Sequence, residues 1–346
     1  MTPNTIQSYL DAIPLPAVFV GLGERILGAN GRAVALNPRA GEDQPFMLIF
    51  RQPGLIEAVE NCLSRHEPQK AVYYHTDGPH EIRYDVTLTF VSGAHLTGVL
   101  LCFTDVTELE QADQMRRDFV ANVSHELRSP LTAILGFIET LQGPARDDAD
   151  VRERFLGIMS AEASRMNRLV GDLLSLSRVE EDARRRPRDE IDLDALICSA
   201  VRNLAPLAEE NGSSVNYTRT ENPTMVVADQ DQMMQVLTNL IENALKYGGQ
   251  GTKVDIRLRD VARDVALRGP AWCIDVTDNG PGIDQIHIPR LTERFYRIDS
   301  HRSREMGGTG LGLAIVKHIL NRHRGRLRID SSRGNGSTFT VVLPKK

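Results

Sequence analysis

The chain has 346 residues, 41% of them hydrophobic and 25% charged, and a formal net charge of −5. This length suggests about two or three domains of ordinary globular composition. The charge gives no electrostatic reason to expect nucleic acid or an anionic membrane as the main partner. No stretch reaches the roughly 18 apolar residues of a membrane span, and no secretion signal opens the chain. We therefore expect a cytoplasmic protein whose widely spaced cysteines stay reduced, without a zinc or disulfide framework: Cys62, Cys102, Cys198 and Cys273.

Residues 1–107 predict a small mixed α/β domain. Two short apolar runs, Ala17–Val20 and Arg25–Ala29, flank a glycine-containing turn and predict a hairpin. Apolar residues at helical spacing follow around positions 56–63. Strict alternation over Ile82–Phe90 predicts a half-buried strand, and Leu96–Phe103 predicts the last one.

The order of these elements and the closing sequence Asp105-Val106-Thr107 resemble a PAS sensor domain. An unrelated small α/β domain is the alternative, because PAS domains share little sequence. Four histidines fall on expected loops or polar faces and are interpreted as surface residues rather than haem or metal ligands: His66, His75, His80 and His95.

A long helix is predicted from Thr107 to about Gly143. Thr107 and Glu110 fit a capping box at its start, and apolar residues then recur every three or four positions. The first turns are highly charged and would link the sensor to the helices that follow. Pro130 should bend the helix, because proline has no amide proton for the helical ladder.

His125 lies in this helix beside Ser124 and Glu126, away from the apolar seam. If the Glu126 carboxylate accepts the Nδ1 proton, Nε2 of an accessible imidazole remains a free nucleophile. A solvated helix surface is the alternative for a histidine next to a glutamate. The block from His125 to Leu131 resembles the phosphoacceptor box of sensor histidine kinases.

A second amphipathic helix follows a turn at residues 145–150, and its apolar stripe is broad: Leu156, Met159, Ala163, Met166, Leu169, Val170, Leu173, Leu174 and Leu176. A two-helix hairpin cannot bury so broad a face alone, so residues 108–183 predict a homodimer with a four-helix bundle. A monomeric hairpin is the alternative. The arginine-rich residues 184–190 are interpreted as a solvated linker rather than a nucleic-acid patch.

Residues 191–346 predict an α+β two-layer sandwich with helices covering one face of a sheet. Helices are expected at 193–208, 229–246 and 314–320, and strands at 215–219, 225–228, 256–258, 272–278, 326–330 and 337–343.

The long helix of this domain carries Asn239, Asn243 and Lys246 at positions i, i+4 and i+7, which lie on one face. Amide oxygens suit Mg²⁺, and the lysine adds a positive charge for phosphates. A polar surface face is the alternative. At the end of the strand predicted at 272–278, the Asp278 carboxylate could accept from an adenine amino group, while Gly280 and Gly282 let the backbone turn tightly.

The glycine-rich segment 307–312 opens a helix, so backbone amides and the helix dipole would face a phosphate. The segment is neither a P-loop nor a dinucleotide-binding fingerprint. Polar residues 285–306, which include Arg294-Phe295-Tyr296-Arg297, predict a mobile lid, and Gly334–Phe339 leads into the last strand.

Together these blocks resemble the nucleotide boxes of the histidine kinase ATP domain, which has the Bergerat (GHKL) fold. The resemblance implies ATP and Mg²⁺ as cofactors. It assigns Mg²⁺ to Asn243 with Asn239, the phosphates to Lys246, Tyr247, Gly308, Thr309, Gly310, Leu311 and Gly312, adenine to Asp278, Gly280, Gly282 and Thr338, and the γ-phosphate to Arg297.

ATP-hydrolysing relatives of this fold carry glutamate where Asn239 stands. An amide cannot serve as a general base, so such a site would hold ATP for an external nucleophile, and His125 is the candidate. The resemblance implies an ATP:protein-histidine phosphotransferase that passes the phosphoryl group to an aspartate of a response regulator.

The layout is most similar to the phosphate-regulon sensor kinases, which implies phosphate-starvation signalling and peripheral association with a membrane sensor complex. Ser129 offers a hydroxyl for regulator dephosphorylation, although the family usually has threonine there. A non-catalytic, nucleotide-binding dimeric scaffold is the alternative function.

Overall fold

The computed structural model describes residues 3–41, 43–78, 80–93, 96–143, 146, 148–182, 185–218, 224–299 and 308–345. The chain forms two compact units, Met1–Ala121 and Asn122–Lys346. Across the described ranges, no helix is both long and apolar enough to cross a membrane. The domain boundaries expected from the sequence stay predictions.

The first unit is built on one antiparallel sheet in the order β2-β1-β5-β4-β3. Its elements are α1 (Pro3–Asp11), β1 (Ala17–Gly21), β2 (Ile26–Ala29), α2 (Gly31–Leu36), α3 (Phe46–Ile49), α4 (Pro53–Arg65), β3 (Gln69–Asp77), β4 (His80–Gly93) and β5 (Leu96–Asp105). The predicted hairpin, central helix and last two strands are confirmed. The other elements were not predicted, since three of the helices are short and β3 carries polar residues at both ends.

Aromatic side chains fill the core of the first unit. The Phe50 ring stacks on Phe46 and Phe103 with ring centroids 5.1 and 5.4 Å away, and Tyr73 meets Phe50 edge-on at 5.4 Å. All four side chains are buried. The unit is therefore an α/β domain as expected, while its identity as a PAS domain stays a prediction.

Helix α5 (Thr107–Gln142) begins at the predicted residue, but the predicted capping box is wrong. The Thr107 hydroxyl instead accepts a hydrogen bond from the Arg83 amide at 3.0 Å, and Glu110 pairs with the Arg83 guanidinium. The β4–β5 ladder ends at Tyr84 and Asp105, so the next amide of β4 needs an acceptor, and Thr107 provides it.

Helix α6 (Ala149–Glu181) forms a hairpin with α5, and the Phe137 and Phe155 rings lie 4.8 Å apart between them. Asp148 caps α6 by accepting from the amides of Asp150 and Val151. Pro130 is buried inside α5, and its bending effect stays a prediction. Part of the expected turn, at residues 144, 145 and 147, lies outside the described residues.

The two helices leave several large apolar side chains exposed in the single chain: Leu131, Leu135, Leu156, Val170 and Leu174. Leu169, Leu176 and Val179 of the same hairpin are buried. A broad apolar stripe is thus only partly covered within one chain.

The rest of the second unit, here called the ATP module (residues 190–345), has helices packed on a mixed sheet. Its elements are β6 (Glu190–Asp192), α7 (Leu193–Glu210), β7 (Ser214–Tyr217), β8 (Met225–Val227), α8 (Gln230–Gly248), β9 (Lys253–Asp264), β10 (Gly269–Asp278), α9 (Gly312–Arg322), β11 (Arg326–Ser331) and β12 (Ser337–Pro344).

Five of these strands form the main sheet in the order β11-β12-β10-β9-β7, antiparallel except for the β7–β9 pair. The short strands β6 and β8 pair separately. Apolar residues of β10 and of α8 are buried between the layers, which confirms the predicted two-layer α+β arrangement. The layered packing brings the end of β10 and one face of α8 to the same side of the sheet.

We expect Ile274→Ala to destabilise the ATP module by about 2–5 kcal/mol. Ile274 is fully buried on the central strand, so removing most of its side chain leaves a cavity. Val265→Ala is the matched control. Val265 is 90% exposed, so its loss should change stability by no more than about 0.5 kcal/mol. Urea unfolding of both variants measures the difference, and equal effects would contradict this description of the core.

Candidate functional site

His125 lies on the exposed surface of α5, as the sequence predicts for an accessible imidazole. One turn later, the Ser129 hydroxyl donates to the His125 carbonyl oxygen at 3.1 Å. Ser129 is exposed as well. The two residues therefore present polar groups on one solvent-facing stretch of the helix.

Among the described residues, two guanidinium groups hold Glu126. Arg165 of α6 approaches its carboxylate at 2.8 Å, and Arg297 of the ATP module approaches it at 3.3 Å. Arg165 also lies 3.6 Å from Glu162 on its own helix. The carboxylate expected to accept the imidazole proton is thus engaged by arginines, and its role toward His125 stays a prediction.

Arg297 lies in the segment predicted as a lid, and only 6% of its side chain is exposed. Two residues before it, Phe295 adopts a left-handed backbone with φ of 63° and donates its amide to the Gly310 carbonyl at 2.8 Å. Gly310 also has positive φ, and a Cβ there would lie 2.9 Å from the Phe295 Cα. Residues 300–306 of the predicted lid lie outside the described residues.

The polar face of α8 lies against the loop that opens α9. The Asn239 amide nitrogen donates to the Gly312 carbonyl at 3.4 Å, and a Cβ on Gly312 would come within 3.5 Å of the Asn239 Oδ1. Asn243 and Lys246 are half-buried on the same face, and Lys246 pairs with Glu242 at 2.6 Å. Asn239 thus contacts the glycine-rich loop, and Asn243 and Lys246 follow on the same helix face, a donor set whose chemistry fits Mg²⁺ and phosphate. Tyr247 is exposed at the end of this helix.

Asp278 ends β10 as a buried carboxylate whose Oδ1 accepts the Gly280 amide at 2.9 Å. Burial raises the pKa of Asp278, although the amides of Gly280 and Ser337 oppose this by hydrogen bonding. Gly282 has φ of 68°, and a Cβ there would lie 2.0 Å from the Ser332 carbonyl oxygen. The glycines thus hold the backbone close around a buried acceptor, which fits recognition of an adenine amino group.

Thr338 does not face the same side of the sheet as Asp278. It pairs with Thr277 in the β10–β12 register, and their hydroxyls lie 3.1 Å apart. Ser337 pairs with Asp278 and is buried. Because successive strand residues face opposite sides, Ser337 shares the side of Asp278 and Thr338 faces the other side, while the role of Thr338 toward adenine stays a prediction. The alternation of side chains between the two faces of β12 could have identified Ser337 as the residue on the side of Asp278.

Several α6 residues that the sequence did not single out contact the ATP module. The Thr309 hydroxyl donates to the Asp172 carboxylate at 2.6 Å, and Ser175 lies 2.9 Å from Gln235 of α8. Glu180 pairs with Arg294. These residues dock α6 on the module, yet their partners lie far away in the chain, so helical spacing carries no signal for them.

Two family models match this chain. Residues 228–346 match the histidine kinase-, DNA gyrase B-, and HSP90-like ATPase family, and residues 115–182 match the His Kinase A (phospho-acceptor) domain. The chain belongs to the sensor histidine kinase family. Its two matched segments cover the hairpin with His125 and the module with Asp278.

Curated relatives agree with this assignment. The sensor histidine kinase is 43% identical over 242 residues to the phosphate regulon sensor protein PhoR of Pseudomonas aeruginosa. It is 40% identical over 243 residues to the sensor-like histidine kinase SenX3 of Mycolicibacterium smegmatis and 39% identical over 253 residues to the sensor histidine kinase WalK of Bacillus subtilis. The matches cover 70–72% of this chain and 53%, 60% and 40% of these relatives in turn.

A solved structure also shares the fold. The histidine kinase ThkA in its crystal structure with the response regulator protein TrrA has a TM-score of 0.52 and 22% identity, with 98% of each chain covered. At this identity the likeness concerns the fold alone.

In this sensor histidine kinase, we expect Asp278→Asn to raise stability at pH 7. Burial raises the pKa of the carboxyl, so the wild type loses stability as pH rises from the unfolded-state value of 3.8 through the folded-state value. An amide keeps an oxygen for the Gly280 amide without the buried charge. Urea unfolding from pH 4 to 7 should show the two proteins diverging as pH rises.

Asp330→Asn is the control, since Asp330 is exposed on β11 of the same sheet. It should show no growing advantage over this pH range. A wild type more stable than Asp278→Asn at pH 7 would contradict the assigned burial cost.

Proposed function

We propose that the chain is a homodimeric protein-histidine kinase, which phosphorylates His125 from Mg²⁺-ATP and passes the phosphoryl group to an aspartate of a response regulator. One observation carries the proposal. Glu126, next to the exposed His125, is bound by Arg297 of the ATP module. The helix that carries His125 and the segment that carries Arg297 thus meet within one compact unit, although 171 positions separate Glu126 from Arg297, and this contact supports the proposal.

The residues around the site fit Mg²⁺-ATP in the roles that the family resemblance implies. Asn243 with Asn239 would hold Mg²⁺, and Lys246, Tyr247 and the loop from Gly308 to Gly312 would bind phosphates. Asp278 would accept from adenine, with Ser337 beside it in place of Thr338. Mg²⁺ would supply neutralisation of phosphate charge.

The chemistry requires an in-line attack by Nε2 of His125 on the γ-phosphorus of ATP. A nitrogen–phosphorus bond forms as the bond from phosphorus to the β-phosphate oxygen breaks, and ADP leaves. The Nδ1 proton passes to Glu126 once Arg297 has left that carboxylate. Positioning and electrostatic stabilisation supply most of the rate, as is general for phosphoryl transfer.

Asn239 distinguishes transfer from hydrolysis. Its amide has no useful basicity, and its nitrogen donates to the Gly312 carbonyl. A water molecule would therefore lack an activating base at this position, which favours attack by an imidazole instead.

Dimerisation and the wider signalling role are part of the same proposal. The exposed apolar residues of the hairpin would be covered by a second copy in a four-helix bundle. We assign a PAS-like sensor to residues 1–107, the phosphotransfer hairpin to 108–183, a linker to 184–190 and the catalytic module to 191–346. The 43% identity to a phosphate regulon sensor protein supports a role in phosphate-starvation signalling.

Incubation with γ-labelled ATP and Mg²⁺ tests the kinase activity. We expect acid-labile, base-stable label on the wild type and none on His125→Gln, because only the imidazole of His125 provides the nucleophile. His75→Gln is the control and should label like the wild type, since His75 lies on β3 in the first unit. Nucleotide binding without any label would instead establish the scaffold function.

Ser129 supports a second activity, hydrolysis of the phosphorylated regulator. Its hydroxyl lies one turn beyond His125 and is donated to the His125 carbonyl at 3.1 Å, so a rotation would free it to orient water. The assay uses the response regulator that accepts label fastest from the phosphorylated chain. We expect Ser129→Ala to slow dephosphorylation of this regulator by roughly 100-fold. Ser124→Ala, on the other side of His125, should keep the wild-type rate, and an unchanged rate in Ser129→Ala would exclude this role.

A further inference from the structure

Asp172 joins the hairpin to the glycine-rich loop. The Thr309 hydroxyl donates to the Asp172 Oδ2 at 2.6 Å and accepts the Leu311 amide at 3.3 Å. Thr309 is buried. A carboxylate from α6 therefore reaches the loop that precedes the N-terminus of α9.

The surroundings of Asp172 carry both signs of charge. Arg168 on its own helix and Lys246 on α8 are the positive groups acting on the carboxylate, and Glu242 on α8 is the negative one. Burial is the largest influence and raises the pKa of Asp172, while the Thr309 hydrogen bond opposes it. Lys246 is already paired with Glu242 at 2.6 Å. The carboxylate is thus poorly solvated and only partly compensated.

We propose that Asp172 opposes nucleotide binding, so that docking of α6 on the glycine-rich loop and binding of the ATP triphosphate weaken each other. The inference rests on the proposed function, in which the same loop and Lys246 hold the phosphates. Triphosphate charge placed there would be repelled by a carboxylate that water screens poorly. Such antagonism is reciprocal: a docked α6 lowers ATP affinity, and bound ATP weakens docking by the same factor.

Other contacts hold α6 on the module independently of Asp172. Ser175 exchanges a hydrogen bond with Gln235, Glu180 pairs with Arg294, and Arg322 donates to the Asp182 carbonyl at 3.3 Å. Replacing the carboxylate by an amide therefore removes a charge without removing the docking surface. An amide oxygen also keeps the acceptor for the Thr309 hydroxyl.

The test compares Asp172→Asn with its parent in the full chain carrying His125→Gln, which prevents turnover. Calorimetric titration with ATP, ADP and adenosine, in the presence of Mg²⁺, gives three dissociation constants for each protein. We expect Asp172→Asn to bind ATP about 5-fold tighter or more, ADP with a smaller gain and adenosine unchanged. Ser177→Ala changes an exposed side chain of the same helix, whose hydroxyl donates to Glu181 of α6 rather than to the module, and should leave all three constants unchanged.

An ATP constant that is unchanged or weaker in Asp172→Asn overturns the inference. An equal gain for all three ligands also overturns it, because loosening of the hairpin would then explain the result without any charge effect. If the parent binds ATP normally, either result leaves the proposed function intact. If neither protein binds ATP, the proposed function itself fails.

A second measurement decides the matter if Asp172→Asn does not fold. Hydrogen exchange of the His125→Gln chain, with and without Mg²⁺-ATP, follows the amides of α6 around residue 172. We expect faster exchange there when ATP is added, because ATP weakens docking. Unchanged or slower exchange overturns the inference.

Discussion

The pairing of Glu126 with two arginines is the interaction on which the second unit depends. A carboxylate removed from water needs compensation by opposite charge, and here it comes from a neighbouring helix and from the ATP module. Within the described residues, the Nε of Arg297 is buried without a hydrogen bond. The terminal nitrogens of the Arg297 guanidinium donate to Glu126 of the hairpin. Arg165 would still compensate the Glu126 charge if Arg297 moved away. The cluster is built so that one partner can leave.

The backbone around Phe295 connects that cluster to the nucleotide boxes. Phe295 takes a left-handed conformation and bonds to Gly310, where close backbone approach leaves no space for a side chain. The lid segment around Arg297 is thus joined to the glycine-rich loop by a backbone contact two residues away. Thr309 precedes Gly310 in this loop, and its hydroxyl donates a hydrogen bond to the Asp172 carboxylate of α6. The hairpin consequently holds the lid segment through Glu126 and Glu180 and the loop through Asp172.

What the sequence could predict depended on the range of the interaction. The helix α8 and the turn after Asp278 follow from spacing within one element, and both elements form where that spacing predicts them. The side of the sheet that Thr338 faces follows instead from its pairing with Thr277, which the motif alone does not encode. Asp172 and Thr309 are 137 positions apart, and Glu126 and Arg297 are 171 apart. Such contacts arise from docking of preformed elements, which no local pattern encodes.

In the proposed function, the position of Glu126 next to His125 couples docking to phosphoryl transfer. The carboxylate proposed to accept the imidazole proton is also the anchor for the lid arginine, and one carboxylate would not serve both fully. The proposed phosphorylation would therefore need a second arrangement in which Arg297 has exchanged Glu126 for another anion, and a γ-phosphate is the anion that this reaction would provide. A signal that changes the geometry of α5 by a small amount would alter the balance between these arrangements, because the anchor and the acceptor are adjacent residues of that helix.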